Sequence, residues 1–276
     1  MLKRKLELQA AAIAEGQAQK SVPSNLFAEP IWERFYNIER KLNTQLAELG
    51  VPDGGFIKCT YNPVEYAAIL HCGYLRRYLN GSKAIMFIGM NPGPNGMGQT
   101  GVPFGNVRTV RDIMQLSGEV LQPPVLHSKR PVNGLNCTTE EPSGVRLWEL
   151  FQKLAGGNLD TFSQQCFVHN FCPLAFFDAG GRNITPSELK APYKQQVRDL
   201  CLDALEQELR LVQPQIVVAV GDYVFTTLKR SVYCEAIATF RLPHPSPRAL
   251  NNTNWPEKAQ LFLEQHDLIK YMRNEA

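Results

Sequence analysis

No C-x-x-C pair occurs among the seven cysteines, which are scattered along the chain and odd in number. That argues against a disulfide framework or a zinc ribbon and leaves buried free thiols as the reading. No uninterrupted apolar run is long enough to cross a bilayer. In the opening stretch "MLKRKLELQAAAIAEG", Glu7, Gln9 and Glu15 interrupt any signal-peptide core, so a soluble, intracellular protein is expected. Neither sign of charge dominates. A net charge of +3 permits an anionic partner without requiring one. Internal repeats, low-complexity blocks and the Gly-Lys-Ser/Thr of a phosphate loop are all absent.

The 276 residues suffice for one sizeable core. Residues 1–22 are polar, with weak apolar periodicity, and read as an N-terminal extension that is disordered or loosely helical. Residues 23–276 read as a single α/β domain. From Asn25, "NLFAEPIWERFYNIERKLNTQLAELG" predicts an amphipathic helix with Leu42, Leu46 and Leu49 on one face and Gly50 as its stop. "NPVEYAAILHCGYLRRYLNG" predicts a second helix, capped by Asn62 with Pro63 in its first turn. Four apolar, β-rich runs follow: Ala84–Met90, Cys166–Asn170, Gln215–Val220 and Ala236–Leu242. Helical patterns lie between them: "VRTVRDIMQL", "GVRLWELFQKLAG", "APYKQQVRDLCLDALEQELRLV" and "YVFTTLKR". "PEKAQLFLEQHDLIKYMR" closes the chain. Strands alternating with helices predict a three-layer α/β fold, with a central parallel sheet of about four strands and helices on both faces.

Open α/β sheets bind ligands beyond the carboxyl ends of their strands. Here those ends carry Asn91 and Gly93, then His169 and Asn170 with "FCPLAFFD", then "GDY", then "PHPSPR". None of these segments contains a lysine, which suits a neutral, hydrogen-bonding ligand. The loop after the first run has no charged residue from Asn91 to Val107. Its Gly96-x-Gly98-x-x-Gly101 formally matches a dinucleotide fingerprint. The match begins several residues past the strand, however, and Pro103 stands where a helix should open, so no Rossmann site is indicated. Taken singly, Asn91 reads as a turn residue and His244 as a core histidine. Together, at neighbouring strand ends, they read as a site.

The strings "GMNPGPNGMGQTGVPFG" and "HPSPR", with "FVHNFCPL" between them, are long and unusual. They resemble the single-strand-selective monofunctional branch of the uracil-DNA glycosylase superfamily, over a span from about Tyr61 to Gln265. One departure is Asn95 after Pro94, where relatives are expected to carry Phe. The resemblance implies the same α/β architecture and excision of uracil and some 5-substituted uracils from DNA, without strand cleavage by β-elimination. It implies Asn170 as the base-reading residue, Phe104 as the stacking ring, and Met90, Gly93 and Met97 as further pocket residues. Asn91 and His244 would carry catalysis, with Ser246, Pro247 and Arg248 on the DNA and Arg248 as the wedge that fills the emptied place in the duplex.

The chemistry of these residue types supports that reading separately. A base inside a stacked duplex must be flipped out before its N-glycosidic bond can be attacked. An Asn amide complements uracil: its carbonyl accepts from N3–H and its NH₂ donates to O4. Cytosine inverts that pattern and leaves buried groups unpaired. The carboxylate pair of ordinary glycosidases is not evident. An amide cannot act as a strong base, so Asn91 would position water, while His244 steadies the charge that builds on uracil O2. Gly93, without a side chain, would leave room beside Met97 for an ordered water. A 5-hydroxymethyl group could replace that water and its hydrogen bonds; a methyl could not. The resemblance implies the same preference.

The expected partners are therefore single- and double-stranded DNA containing uracil or a 5-substituted uracil. No membrane, metal or cofactor is called for, and a monomer is expected. Nuclear location follows from function alone, because Lys3-Arg4-Lys5 is too short a basic run to carry it. The rival is a non-catalytic nucleotide- or flavin-binding α/β module using the same strand ends, which would lack a phosphate cradle. An acyl-transfer hydrolase would need a Cys at a sharp strand-to-helix elbow, and none is evident.

Overall fold

The computed structural model describes residues 28–52, 55–248 and 252–276. The extension expected over 1–22 lies outside them. Helix α1 spans Ile31–Leu49 and starts just after Pro30, later than the Asn25 expected from the sequence. Residues 28–30 are not helical, in keeping with the restriction that Pro30 places on its predecessor. Phe35, Glu39, Leu42 and Leu46 of α1 form its buried stripe at helical spacing, while Leu49 is only half-buried.

A short strand, β1 (Cys59–Tyr61), leads to the segment expected to be one helix. It is two pieces, Pro63–Tyr66 and α2 (Ala68–Tyr78). The Asn62 side chain caps the first, accepting from the Val64 N–H at 3.2 Å. The break follows from an outside donor, since the Tyr66 carbonyl takes the Leu121 N–H at 2.8 Å.

Strand β2 (Ile85–Gly89) is buried throughout. The helix expected over "VRTVRDIMQL" is instead one wide turn, Thr109–Ile113, closed by the Met114 N–H on the Thr109 carbonyl at 2.8 Å. Gln115 then turns left-handed at φ 51°, and the Arg77 guanidinium donates to the Met114 carbonyl. This long-range tie ends the turn before it becomes a helix.

Helices α3 (Pro142–Leu154) and α4 (Leu159–Gln165) lead into β3 (Cys166–Asn170). Strands β4 (Ala175–Phe177) and β5 (Asn183–Ile184) follow. Helix α5 (Tyr193–Val212), β6 (Ile216–Val220), helix α6 (Asp222–Leu228), β7 (Ala238–Leu242) and helix α7 (Trp255–Gln265) follow, with short helical turns at Val232–Glu235 and Ile269–Met272.

Two sheets result. The central one has the order β3-β2-β6-β7 and is parallel throughout, as expected. The second, β1-β4-β5, is antiparallel and was not anticipated; its strands are two or three residues long, too short for a periodic signal. Side-chain alternation sorts the layers. On one face Phe87 of β2 packs on Phe151 of α3 and Phe162 of α4, with ring centroids 4.6 and 6.0 Å apart. On the other, Phe167 of β3 meets Phe35 of α1 edge-on at 5.7 Å.

His169 shares that second face, two residues along from Phe167. It pairs with Glu208 of α5 at 3.2 Å, and both side chains are buried. It therefore belongs to the core rather than to the strand-end pocket with which its sequence position grouped it. Burial works against its charge, but Glu208, with help from Glu39, outweighs burial and raises its pKa. Removing one member of a buried ionic pair costs more than removing both. His169→Leu should lose about 3–5 kcal/mol in urea unfolding, and His169→Leu/Glu208→Leu should recover most of it. Equal losses in the single and double variants would show that the pair is not energetically coupled.

Candidate active site

The parallel register sets Gly89, the last residue of β2, directly opposite Asn170, the last of β3. Beyond these ends opens a cavity of about 440 Å³. Its walls include Met90, Asn91, Gly93, Met97, Phe104 and Asn170, and its far side His244, Ser246, Pro247 and Arg248. The sequence-predicted site residues thus come together from three separate segments.

The uncharged loop is held by amides and hydroxyls. The Gly98 N–H bonds the Gly93 carbonyl at 2.9 Å, and Tyr66 Oη donates to the Gly98 carbonyl at 2.6 Å. The Gln99 side chain is buried and ties its own loop to the 131–133 stretch. Its Nε2 donates to the carbonyls of Pro94 at 2.9 Å and Pro131 at 3.0 Å, and its Oε1 accepts from the Asn133 N–H at 2.8 Å. Thr100 Oγ1 donates to the Gly105 carbonyl at 2.7 Å. The formal dinucleotide match frames only one helical turn, Met97–Thr100, so no helix opens toward a phosphate there. The loop delivers Phe104 at φ 55°, a left-handed backbone rare for a bulky residue, with its ring centroid 6.0 Å from that of His244.

Asn170 is buried. Its Nδ2 donates to Met97 Sδ at 3.1 Å, which fixes which end of the amide is which. Its Oδ1 is buried without a partner among the described residues. A buried carbonyl left this way costs stability unless something donates to it. Asn91 Nδ2 donates to the Leu174 carbonyl at 3.1 Å, which leaves its Oδ1 as the free acceptor.

His244 follows β7 by two residues. Its Nδ1 accepts the Ser246 N–H at 3.1 Å, so the ring proton sits on Nε2. Burial pushes its pKa down to about 4, so the ring is neutral near pH 7. Asn252 pins this turn, donating to the carbonyls of His244 at 2.9 Å and Ser246 at 2.7 Å. Of the asparagines in "PSPRALNNTNW", Asn252 is therefore a structural brace, and Asn251 lies outside the described residues. Pro247 and Arg248 are exposed at the cavity mouth, where the Arg248 N–H bonds Ser246 Oγ at 3.3 Å.

Over residues 77–266 the chain matches the family model of the uracil DNA glycosylase superfamily. The chain belongs to the uracil DNA glycosylase superfamily. It is 40% identical over 260 residues to the single-strand selective monofunctional uracil-DNA glycosylase of Rattus norvegicus, covering 92% of each chain. To the protein of that name from Bos taurus it is 42% identical over 240 residues, covering 86% of this chain and 87% of the other. In fold it is similar to the crystal structure of wild-type SMUG2 from Pedobacter heparinus, with a TM-score of 0.59, 19% identity, and 84% and 98% of the two chains covered.

Several residues around this superfamily pocket escaped sequence reasoning. The expectation of open space beside Gly93 is corrected. A Cβ there would lie 2.5 Å from Glu141 Oε2, so a carboxylate fills that place. Glu141 stands just before α3 and reads in sequence as a helix start; its Oε2 accepts from the Asn95 N–H at 3.4 Å. Burial raises its pKa, against the pull of the Asn95 N–H, Arg248 and Arg130. Arg130 and Arg182 also line the cavity, but the Arg182 guanidinium is paired with Asp178 and Glu188. Gly89 was also missed. A Cβ on it would lie 2.3 Å from Asn170 Oδ1 and 2.4 Å from the Phe104 ring, so only glycine lets both side chains enter the cavity.

Gly89→Ala should therefore displace Asn170 and Phe104. We expect the chain to stay folded with a loss of about 1–3 kcal/mol in urea unfolding. Single-turnover excision from a uracil-containing oligonucleotide should fall by at least about 100-fold. Near-wild-type excision would show that the two side chains do not need this close approach.

Proposed function

We propose that the chain is a monofunctional uracil-DNA glycosylase. It flips uracil or 5-hydroxymethyluracil out of single- or double-stranded DNA and hydrolyses the N-glycosidic bond, which starts base excision repair in the nucleus. The observation that carries this reading is the buried, unpartnered Oδ1 of Asn170 beside an Nδ2 of fixed direction. That pair complements N3–H and O4 of uracil. The ring of Phe104 offers the base a stacking face.

Bond breaking then runs ahead of water attack, through an oxocarbenium-like sugar. Charge builds on O2 of the departing base. A neutral His244 with its proton on Nε2 can donate there, while Asn91, turned by the Leu174 carbonyl, holds water with Oδ1. No lysine is among the described residues that line the cavity, which supports hydrolysis without a Schiff base. Arg130 and Arg248 at the mouth suit a phosphate backbone, and an exposed Arg248 suits the role of a wedge into the duplex.

Asn91→Ala and His244→Ala should each cut single-turnover excision by about 100- to 1,000-fold while leaving DNA affinity nearly unchanged. An affinity loss as large as the rate loss would reassign that residue to binding.

The depressed pKa of His244 sets the sign of the pH dependence. The ring stays neutral until pH approaches about 4, so excision should show no inflection near the ordinary histidine value of 6.5. Below that, protonation of Nδ1 breaks its bond with the Ser246 N–H, and activity falls. The unfolded chain takes up this proton at higher pH than the folded one. Stability contributed by His244 is therefore fully present above 6.5 and lost as pH falls toward about 4. A rate profile that rises or falls through 6.5, and keeps that limb only when His244 is present, would contradict a neutral donor.

A further inference from the structure

We propose that Glu141 is a specificity-determining residue that accepts a hydrogen bond from the 5-hydroxymethyl group of the flipped base. The proposal rests on the glycosylase reading above. Orientation comes from Asn170. Its Nδ2 is held toward Met97 Sδ at 3.1 Å, so the amide end that meets O4 lies on the side of the 93–97 loop. In uracil, C5 is the ring neighbour of the carbon that bears O4, on the side away from N3. A base read by Asn170 therefore turns C5 toward that loop.

At Gly93 and Gly96 the loop presents no side chain, and Glu141 packs into the gap. Its carboxylate takes the space of a Gly93 Cβ, and its Cγ lies 3.0 Å from where a Gly96 Cβ would be. Oε2 has a single long contact, the Asn95 N–H at 3.4 Å, and Oε1 has no hydrogen-bond partner among the described residues. An ionised carboxylate only accepts. A hydroxymethyl O–H supplies the missing donor. A bare C5–H leaves room for water, whereas a methyl covers the acceptor and gives nothing back.

The test is kcat/KM on matched single-stranded oligonucleotides carrying uracil, 5-hydroxymethyluracil or thymine. The ratio of 5-hydroxymethyluracil to uracil is internal to each preparation and insensitive to the folded fraction. In Glu141→Ala it should fall about ten- to hundredfold, the worth of one hydrogen bond to a charged group, and thymine should be refused less strongly. Glu141→Gln keeps an acceptor oxygen and should recover part of the ratio. Gly93→Ala pushes the carboxylate aside and should lower the ratio as Glu141→Ala does. If Glu141→Ala is too unstable to assay, the other two variants decide on the same ratio. A ratio within about twofold of wild type in all assayable variants would overturn the assignment. So would a wild-type enzyme that excises uracil and leaves 5-hydroxymethyluracil. A wild-type enzyme that excises no uracil at all would instead overturn the glycosylase reading.

Discussion

The site depends on a close approach that one missing side chain permits. Gly89 ends β2 opposite Asn170 in the parallel register, and the volume its Cβ would take holds Asn170 Oδ1 and the Phe104 ring. The rest of the cavity is arranged around those two groups. The loop is tied by Gln99, Thr100 and Tyr66 so that it can hold Phe104 in a left-handed backbone. The bond from Asn170 to Met97 then orients the amide. The core pays for this arrangement in one buried carbonyl without a donor.

Charge is kept away from the reading groups and collected at the mouth. Asn91, Asn170 and His244 are uncharged near pH 7, the last because burial pushes its pKa to about 4. Arg130 and Arg248 line the cavity at its rim, with Arg248 exposed, while Arg182 beside them is paired with Asp178 and Glu188. Glu141 is the exception on the wall. Among the described residues that line the cavity it is the one carboxylate, and it stands against the glycines of the loop.

The central sheet was legible because buried parallel strands read as continuous apolar runs, and all four fall within the expected stretches. The place of Asn91, Phe104, Asn170 and His244 on the cavity was legible because they end or follow those runs or sit in unusual strings. Other features left no local signal. Strands β1, β4 and β5 are too short to show alternation. The wide turn at Thr109–Ile113 is fixed by Arg77, far away in sequence. His169 and Asn170 are adjacent in a strand and so face opposite ways, which separates a core ion pair from a pocket amide. Gly89 and Glu141 acquire their meaning only from what approaches them in space.

The central claim is that the unpartnered carbonyl of Asn170 reads N3–H of an extruded uracil. It is tested most directly by a crystal structure with an oligonucleotide whose uracil sits on a hydrolysis-resistant sugar. The account predicts N3 within hydrogen-bond distance of Asn170 Oδ1, O4 on Nδ2, O2 facing His244 Nε2, and the base face on Phe104. A flipped uracil that leaves Asn170 Oδ1 unpaired, or that meets His244 through O4, would contradict it.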